Sequence, residues 1–407
     1  MAEADCVIVG GGIGGAVLAL ALGRRGHRVA LLERDTTAPA IGRPEILAQS
    51  TLDAFQQLGV GARMRQEAVV PLHALQLWRA GDGRLLTLSA DDFRQAGAQP
   101  YSTNPLLTRR ILLEAAATLG SVQIQRGVEV QALLREGGAV VGVRARRGAE
   151  SITWKALLVV GDDGGQSRIR QSLGIPLATR DLPVDFLSAA GPVLPGQTDG
   201  VGEAWLNPGG IRRGLFGGIF MPLPAGQTAL VFLLSPAAMQ RFRQGPAAAF
   251  YEAAAQLSPR CQDLERHYRF PEGFSHIRRP FGHAPHYVAD GAALLGDAAH
   301  PVTPAGGQGA NMSVADAIVL AEVAHAALSR RDCSAARLSA YEAIRRPANT
   351  RSLRFSSRTK RTLDLFSAVP WLAALFPAFL HYVERTPSMK QQLIRAVSRA
   401  FASPAST

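Results

Sequence analysis

The chain has 407 residues, 47% of them hydrophobic, which is enough for a sizeable core and two domains around one ligand site. Its formal net charge is +12, and between Arg337 and Thr407 twelve Lys or Arg face only three acids, Glu342, Asp364 and Glu384. Charge gathered in a tail argues against nucleic acid as a partner, because such an interface needs basic and aromatic residues interleaved on the folded body.

Cys6, Cys261 and Cys333 lie far apart with no metal-ligand spacing, and they read as reduced thiols in a cytoplasmic protein. The N-terminus runs directly into a strand, so no signal peptide is expected. That strand is the apolar run Cys6 to Val9, and Ala16 to Leu22 is the helix after it. Between them lies Gly10-Gly11-Gly12-Ile13-Gly14-Gly15. Gly10 permits a tight turn, Gly12 lets the backbone approach a pyrophosphate, and Gly15 lets helix and strand pack closely. The phosphates then meet the N–H groups and positive dipole end of the helix. A second strand, Arg28 to Glu33, ends in a carboxylate near the position, roughly 20 residues past the first glycine, where an acid holds a ribose hydroxyl. This is a dinucleotide cradle, and it fits NAD as well as FAD.

Further on, Pro44 to Leu58 has the spacing of a helix, and Leu72 to Leu88 reads as two strands around Gly81-Asp82-Gly83. Arg109 to Leu119 is helical, and Val128 to Leu134, Ala139 to Ala145 and Ser151 to Val160 are strands. From Pro176 to Pro280 the texture is that of an inserted sheet, with one helix near Ala247 to Leu257. An apolar strand returns at Gly291 to Gly296, followed by a loop and a helix from about Asn311 to Leu328. These limits give a discontinuous first domain (1–175 and 281–336), an insert (176–280) and a basic helical region (337–407).

Two more motifs bear on the ligand. Val159 to Arg170 delivers Asp162-Asp163-Gly164-Gly165 to a turn, with Ser167 placed to cap the next helix. Gly296-Asp297-Ala298-Ala299-His300-Pro301 then leads into Pro304-Ala305-Gly306-Gly307-Gln308-Gly309-Ala310-Asn311. Asp297 suits a polyol chain, and the glycine-rich turn presents N–H groups to a flat ring that gains negative charge on reduction.

These three motifs, in this order between residues 7 and 317, resemble the class A FAD-dependent aromatic monooxygenases typified by p-hydroxybenzoate hydroxylase. The resemblance implies an α/β fold, with a discontinuous Rossmann-like FAD-binding domain, an inserted β-sheet substrate domain and a C-terminal helical segment. It also implies FAD as cofactor, NADPH or NADH as reductant, and oxygen transfer to an aromatic through a flavin C4a-hydroperoxide. Gly10, Gly12, Ile13, Gly14, Gly15, Glu33 and Arg34 would then hold the adenosine and pyrophosphate. Asp163 and Gly164 would sit in the shared FAD and pyridine-nucleotide groove, Gly296 and Asp297 at the ribityl chain, and Pro304 to Asn311 along the isoalloxazine. Arg43 matches an arginine near the cofactor, and Arg110, favoured over Arg109, matches another. The family usually has Gly-Ala-Asp-Gly where this chain has Gly161-Asp162-Asp163-Gly164, and Glu-Asp where it has Ala315-Asp316.

His300, His283 and His286 are the candidates for taking a phenolic proton, beside a structural reading of each. Trp205 and Phe220 are candidates for an aromatic wall over the ring, beside a plain core reading. The substrate expected is a small aromatic or lipophilic phenol, quinone, quinolone or polyketide, consumed with dioxygen. Epoxidation on the same scaffold and a non-redox prenyl-group binding protein stay open. Leu365 to Val383 is apolar but broken by Pro370, Pro377 and His381, so it packs over the pocket, forms a basic interfacial anchor at a membrane surface, or is a partner-binding helix.

Overall fold

The computed structural model describes residues 2–37, 44–81, 83–97, 99–210, 214–278, 280–304 and 307–401. The opening strand Ala2–Val9 is the centre of a sheet in which it pairs parallel with Val29–Glu33 on one side and Glu150–Gly161 on the other. Val122–Arg126 and Ala292–Leu294 extend it in parallel at either side. Its central strands are nearly continuous apolar runs because helices cover them, and Cys6, Val7, Ile8, Leu31, Val159 and Val160 are fully buried. The cradle helix Ile13–Gly23 is apolar all round for the same reason, lying between the sheet, Pro105–Ala117 and Gly309–Ser329. Of the helices in the described residues, Gly309–Ser329 alone is long and apolar enough to cross a membrane, and its Ala- and Leu-rich face packs in this core.

The second sheet has seven strands, in the order Ser275–Ile277, Asp185–Pro192, Gln227–Leu234, Leu215–Leu223, Val201–Leu206, Ala74–Arg79 and Arg84–Ser89. The last two correct the boundary at 176, because the hairpin they form joins the insert: Ala74–Arg79 pairs parallel with Val201–Leu206. The expected helix from Pro44 also differs, since a short strand Glu45–Leu47 pairs with Tyr101–Thr103 before the helix Gln49–Gln57 begins. Asp82 of the expected turn lies outside the described residues.

Each face of the second sheet has its own cover. Leu187, Trp205, Phe220, Leu230 and Phe232 face the helices Pro236–Gln244 and Ala247–Leu257. Alternate residues, including Phe186, Val231 and Leu233, face the first domain and pack with Val302 and Met312. The C-terminal region is three helices, Ala335–Ala368, Pro370–Arg385 and Pro387–Phe401. The second and third contribute Leu380, Val383 and Ile394 to a cluster with Leu85, Leu86, Leu88 and Phe93.

Candidate active site

A cleft of about 730 Å³ begins at Leu32 to Asp35, passes Val9 to Gly14 and Asp162 to Gln166, and ends at Asp297, Gly309, Ala310 and Ser313. The three motifs, distant in the chain, thus line one space.

The glycines are required by contact. Gly10 has φ +105°, and a Cβ there would stand 2.3 Å from the Asp162 carbonyl oxygen; one on Gly15 would stand 2.4 Å from the Gly10 carbonyl oxygen. The helix after them starts at Ile13 with no side-chain cap and no acid in its first turn, so the N–H groups of Ile13 and Gly14 are available to an anion, while Gly15 N–H is taken by Asp162. Glu33 accepts from Gly11 N–H at 2.9 Å and from Arg109 at 3.0 Å. Arg109 also donates to the Gly11 carbonyl. This corrects the choice of Arg110, which is about half exposed and lies beside Glu67 and Glu114. Asn104 caps the helix and Pro105 begins it, and that phase turns Arg109 inward and Arg110 outward. Arg34 lines the cleft and Arg43 lies outside the described residues.

In the middle motif the two aspartates do different work. Asp163 caps the helix Arg168–Ser172, accepting from Arg168 N–H at 2.7 Å and Ile169 N–H at 3.2 Å. Asp162 instead reaches under the cradle and accepts from Gly15 N–H at 2.7 Å. Burial pushes the Asp162 carboxyl well above the usual range; the Gly15 N–H opposes this, and Asp297, Asp163 and Glu33 add to it. Position 162 is where the chain departs from the family pattern, and its contact with Gly15 was not anticipated.

At the far end, Asp297 sits in a single 3-10 turn, Gly296–Ala298, and Gly309 and Ala310 begin the helix that points its N-terminus into the cleft. Pro304 is half-buried and Gln308 buried; Gly307 has φ +61°; Ala305 and Gly306 lie outside the described residues. Asn311 turns away from the cleft: it accepts from Ala48 N–H at 2.9 Å and Thr51 Oγ1 at 2.7 Å, and donates to the Ile46 carbonyl at 2.7 Å. It staples the loop to the segment Ile46–Thr51.

The three histidines have different surroundings. His300 is buried and 2.5 Å from Asp316, whose other oxygen accepts from Arg345 at 2.7 Å and Asn349 at 3.0 Å. Burial alone would raise the Asp316 carboxyl, but His300 and Arg345 hold it well below the usual range. His283 is hydrogen-bonded to Tyr287 Oη at 2.5 Å, and burial, with His300 and Arg346 nearby, lowers it to about 4. His286 is exposed, 3.6 Å from Glu342, and does not line the cleft.

Of the two readings of Trp205 and Phe220, their surroundings favour the plain core one. Both lie on the sheet face turned from the first domain, Trp205 stacked on Trp78 at 5.1 Å and bonded to Glu203, Phe220 edge-on to Phe232. The apolar wall toward the first domain is made by Phe186, Phe216, Val302 and Met312, with Leu353 from the C-terminal region. Thr303 and Ser188, the latter on the same sheet face as Phe186, carry buried hydroxyls with no partner among the described residues.

The cradle that side chains would fill, the N-termini of the helices Ile13–Gly23 and Gly309–Ser329 on the cleft, and the acids at Glu33 and Asp297 fit FAD laid along its length. Residues 3–356 match the family described as FAD binding domain. The chain belongs to that family, in the class A FAD-dependent aromatic monooxygenases. It is 30% identical to 6-methylpretetramide 4-monooxygenase of Streptomyces rimosus, across 97% of this chain and 92% of that protein. To 3-hydroxybenzoate 6-hydroxylase of Klebsiella oxytoca it is also 30% identical, across 85% of each. Among solved structures, p-nitrophenol 4-monooxygenase from Pseudomonas putida superposes with a TM-score of 0.81 at 19% identity, across 99% of both chains, which shows the shared fold. The protein is therefore an FAD-dependent monooxygenase with NAD(P)H as reductant.

Proposed function

We infer that the protein hydroxylates a small, lipophilic aromatic of phenol, quinone or polyketide type, consuming NAD(P)H and dioxygen. The observation that carries this is the cleft's junction. Its Asp297–Ala310 end lies at a loop whose next residues, Val302 and Met312, form an apolar wall with Phe186 and Phe216. The names of two relatives point to the substrate class, one acting on 6-methylpretetramide and one on 3-hydroxybenzoate.

FAD, when bound, supplies activation of dioxygen after reduction by the nicotinamide. What the chain adds is placement and exclusion of water. The Gly309 helix N-terminus favours negative charge at the ring. Phe186, Phe216, Val302 and Met312 exclude water from the reacting face. We assign His300 to holding the loop, since Asp316 engages its ring. His283, kept neutral near pH 7 by burial, is the remaining histidine we propose for taking the phenolic proton. Three buried, unpaired cysteines agree with a reducing, cytoplasmic setting.

The test is NADH and NADPH oxidation by the FAD-loaded protein over a panel of phenols, quinones and aromatic polyketides, with product mass read under isotopic dioxygen. One compound should stimulate oxidation and gain one labelled oxygen atom. If none stimulates, or all reducing equivalents emerge as hydrogen peroxide, the reading fails.

A further inference from the structure

The helix Pro370–Arg385 is apolar on two opposite faces. Ala373, Leu380 and Val383 are buried, the last two against Leu86 and Phe93. On the other side Trp371, Leu375, Phe379 and Tyr382 recur at steps of four, four and three, and they are 49% to 64% exposed. A row of large apolar side chains in water marks a surface made to meet another phase.

Two observations identify that phase. Arg351, Arg354, Arg358 and Arg361 stand exposed along one side of the preceding helix, with Leu365 next in the row, and Arg385 closes the apolar helix. None of these arginines has an ion pair among the described residues, while the local acids Asp364 and Glu384 are paired with Lys360 and Lys390. The field around the row is therefore positive, complementary to anionic headgroups. The row also leads inward. Phe379 contacts Phe376 at 6.3 Å, Phe376 contacts Phe366 at 5.6 Å, and Phe366 packs on the cluster containing Val302 and Met312.

We propose that this helix rests on an anionic lipid surface, its apolar row at the acyl boundary and its arginines on the headgroups, and that the substrate enters from that surface. The path is Phe379, Phe376 and Phe366 to the wall beside the flavin loop. This rests on the reading of the substrate as lipophilic.

The test is flotation of the FAD-loaded protein with phosphatidylcholine vesicles, with and without phosphatidylglycerol. Trp371 is the exposed tryptophan, Trp154 and Trp205 being buried and Trp78 stacked against Trp205, so quenching by brominated lipid reads its insertion. Binding is expected only with phosphatidylglycerol, reversed by salt, with Trp371 quenched. Arg351→Gln with Arg358→Gln should weaken it on the order of tenfold, and Leu375→Ser with Phe379→Ser, which keep Trp371 as the reporter, should abolish its quenching while FAD stays bound. A protein that stays in solution with both vesicles overturns the proposal. So does a dimer dispersed by Trp371→Ser without vesicle binding, which would assign the row to a second copy of the chain. Stimulated NAD(P)H oxidation is measured separately with water-soluble aromatics, so loss of membrane binding and loss of hydroxylation are told apart.

Discussion

Asp162 places a carboxyl at the mouth of an anion site. Its oxygens lie where a Cβ on Gly12 or Gly296 would come within 2.8 Å or 3.1 Å, and it occupies the Gly15 N–H that a phosphate would otherwise use. Burial raises its pKa, and so do the facing Asp297, Asp163 and Glu33, with Gly15 N–H the opposing influence. A folded-state pKa above the unfolded one gives stability that is complete below the ordinary aspartate range and is lost as pH climbs through the raised value. A bound pyrophosphate disfavours the ionised carboxyl further. The FAD dissociation constant should therefore rise as pH climbs above that raised value, and Asp162→Asn should flatten the dependence, as read by flavin fluorescence. A wild-type constant that ignores pH would refute this. Arg109→Ala should weaken FAD binding, because it frees Glu33 and the Gly11 carbonyl together, whereas Arg110→Ala should change it by no more than ~0.5 kcal/mol, as for a surface ion pair. Equal effects from the two arginines would contradict the assigned geometry. The sequence could not distinguish them. Neighbours on a helix differ by about 100° in direction, and only knowing that Asn104 and Pro105 start the helix decides which one faces in.

At the scale of elements, the buried Asp316–Arg345 pair locks Gly309–Ser329 to Ala335–Ala368 and holds His300 behind the loop. Replacing Arg345 by Met leaves the buried Asp316 carboxylate without its guanidinium, with His300 and Asn349 as its remaining partners, at a cost of about 3–5 kcal/mol. The depressed Asp316 pKa means this pair stabilises at all pH above the ordinary aspartate range and loses its effect as pH falls through the folded value. In Arg345→Met that loss should begin at milder acidity. Urea unfolding at neutral and acid pH measures both effects, and an unchanged midpoint would rule out the lock. The cradle, the Asp163 turn and the Asp297 loop were legible because each is local, a strand delivering glycines and an acid within a few residues. The sequence leaves Trp205 and Phe220 between a wall and a core reading for the converse reason. Alternation shows that two faces exist, but which one meets the first domain depends on helices packed from elsewhere. The hairpin at 74–89 was recognised as a hairpin, yet its membership of the second sheet is fixed by pairing with Val201–Leu206, far along the chain.

For the whole molecule, the C-terminal helices are structural as well as peripheral. Leu380, Val383 and Ile394 cover Leu86 and Phe93 at the edge of the second sheet, so the region cannot be removed cleanly. Leu380→Ala should cost about 2–5 kcal/mol, the range for emptying a packed aliphatic site, and calorimetry should show a lower melting temperature. A truncation after Ala368 should melt lower still. A truncated protein as stable as the full chain would show that the sheet edge needs no cover. The basic composition of the region was plain in the sequence, while its second, inward apolar face appears only once the hairpin it covers is in place.

The pairing of Ile13–Gly23 with Gly309–Ser329 also sets a schedule for biosynthesis. The cradle helix leaves the ribosome early, yet the helix that buries it follows about 300 residues later, on the order of tens of seconds at ordinary elongation rates. During that interval Ala16 to Leu22, all buried in the finished protein, have no lasting cover on that side. Asp297 and the Gly309 helix end are also still missing, so flavin loading waits until both have been made. A cell short of flavin would accumulate full-length apoprotein, and nascent chains would depend on chaperones to shield a nucleotide site that is translated first and finished last.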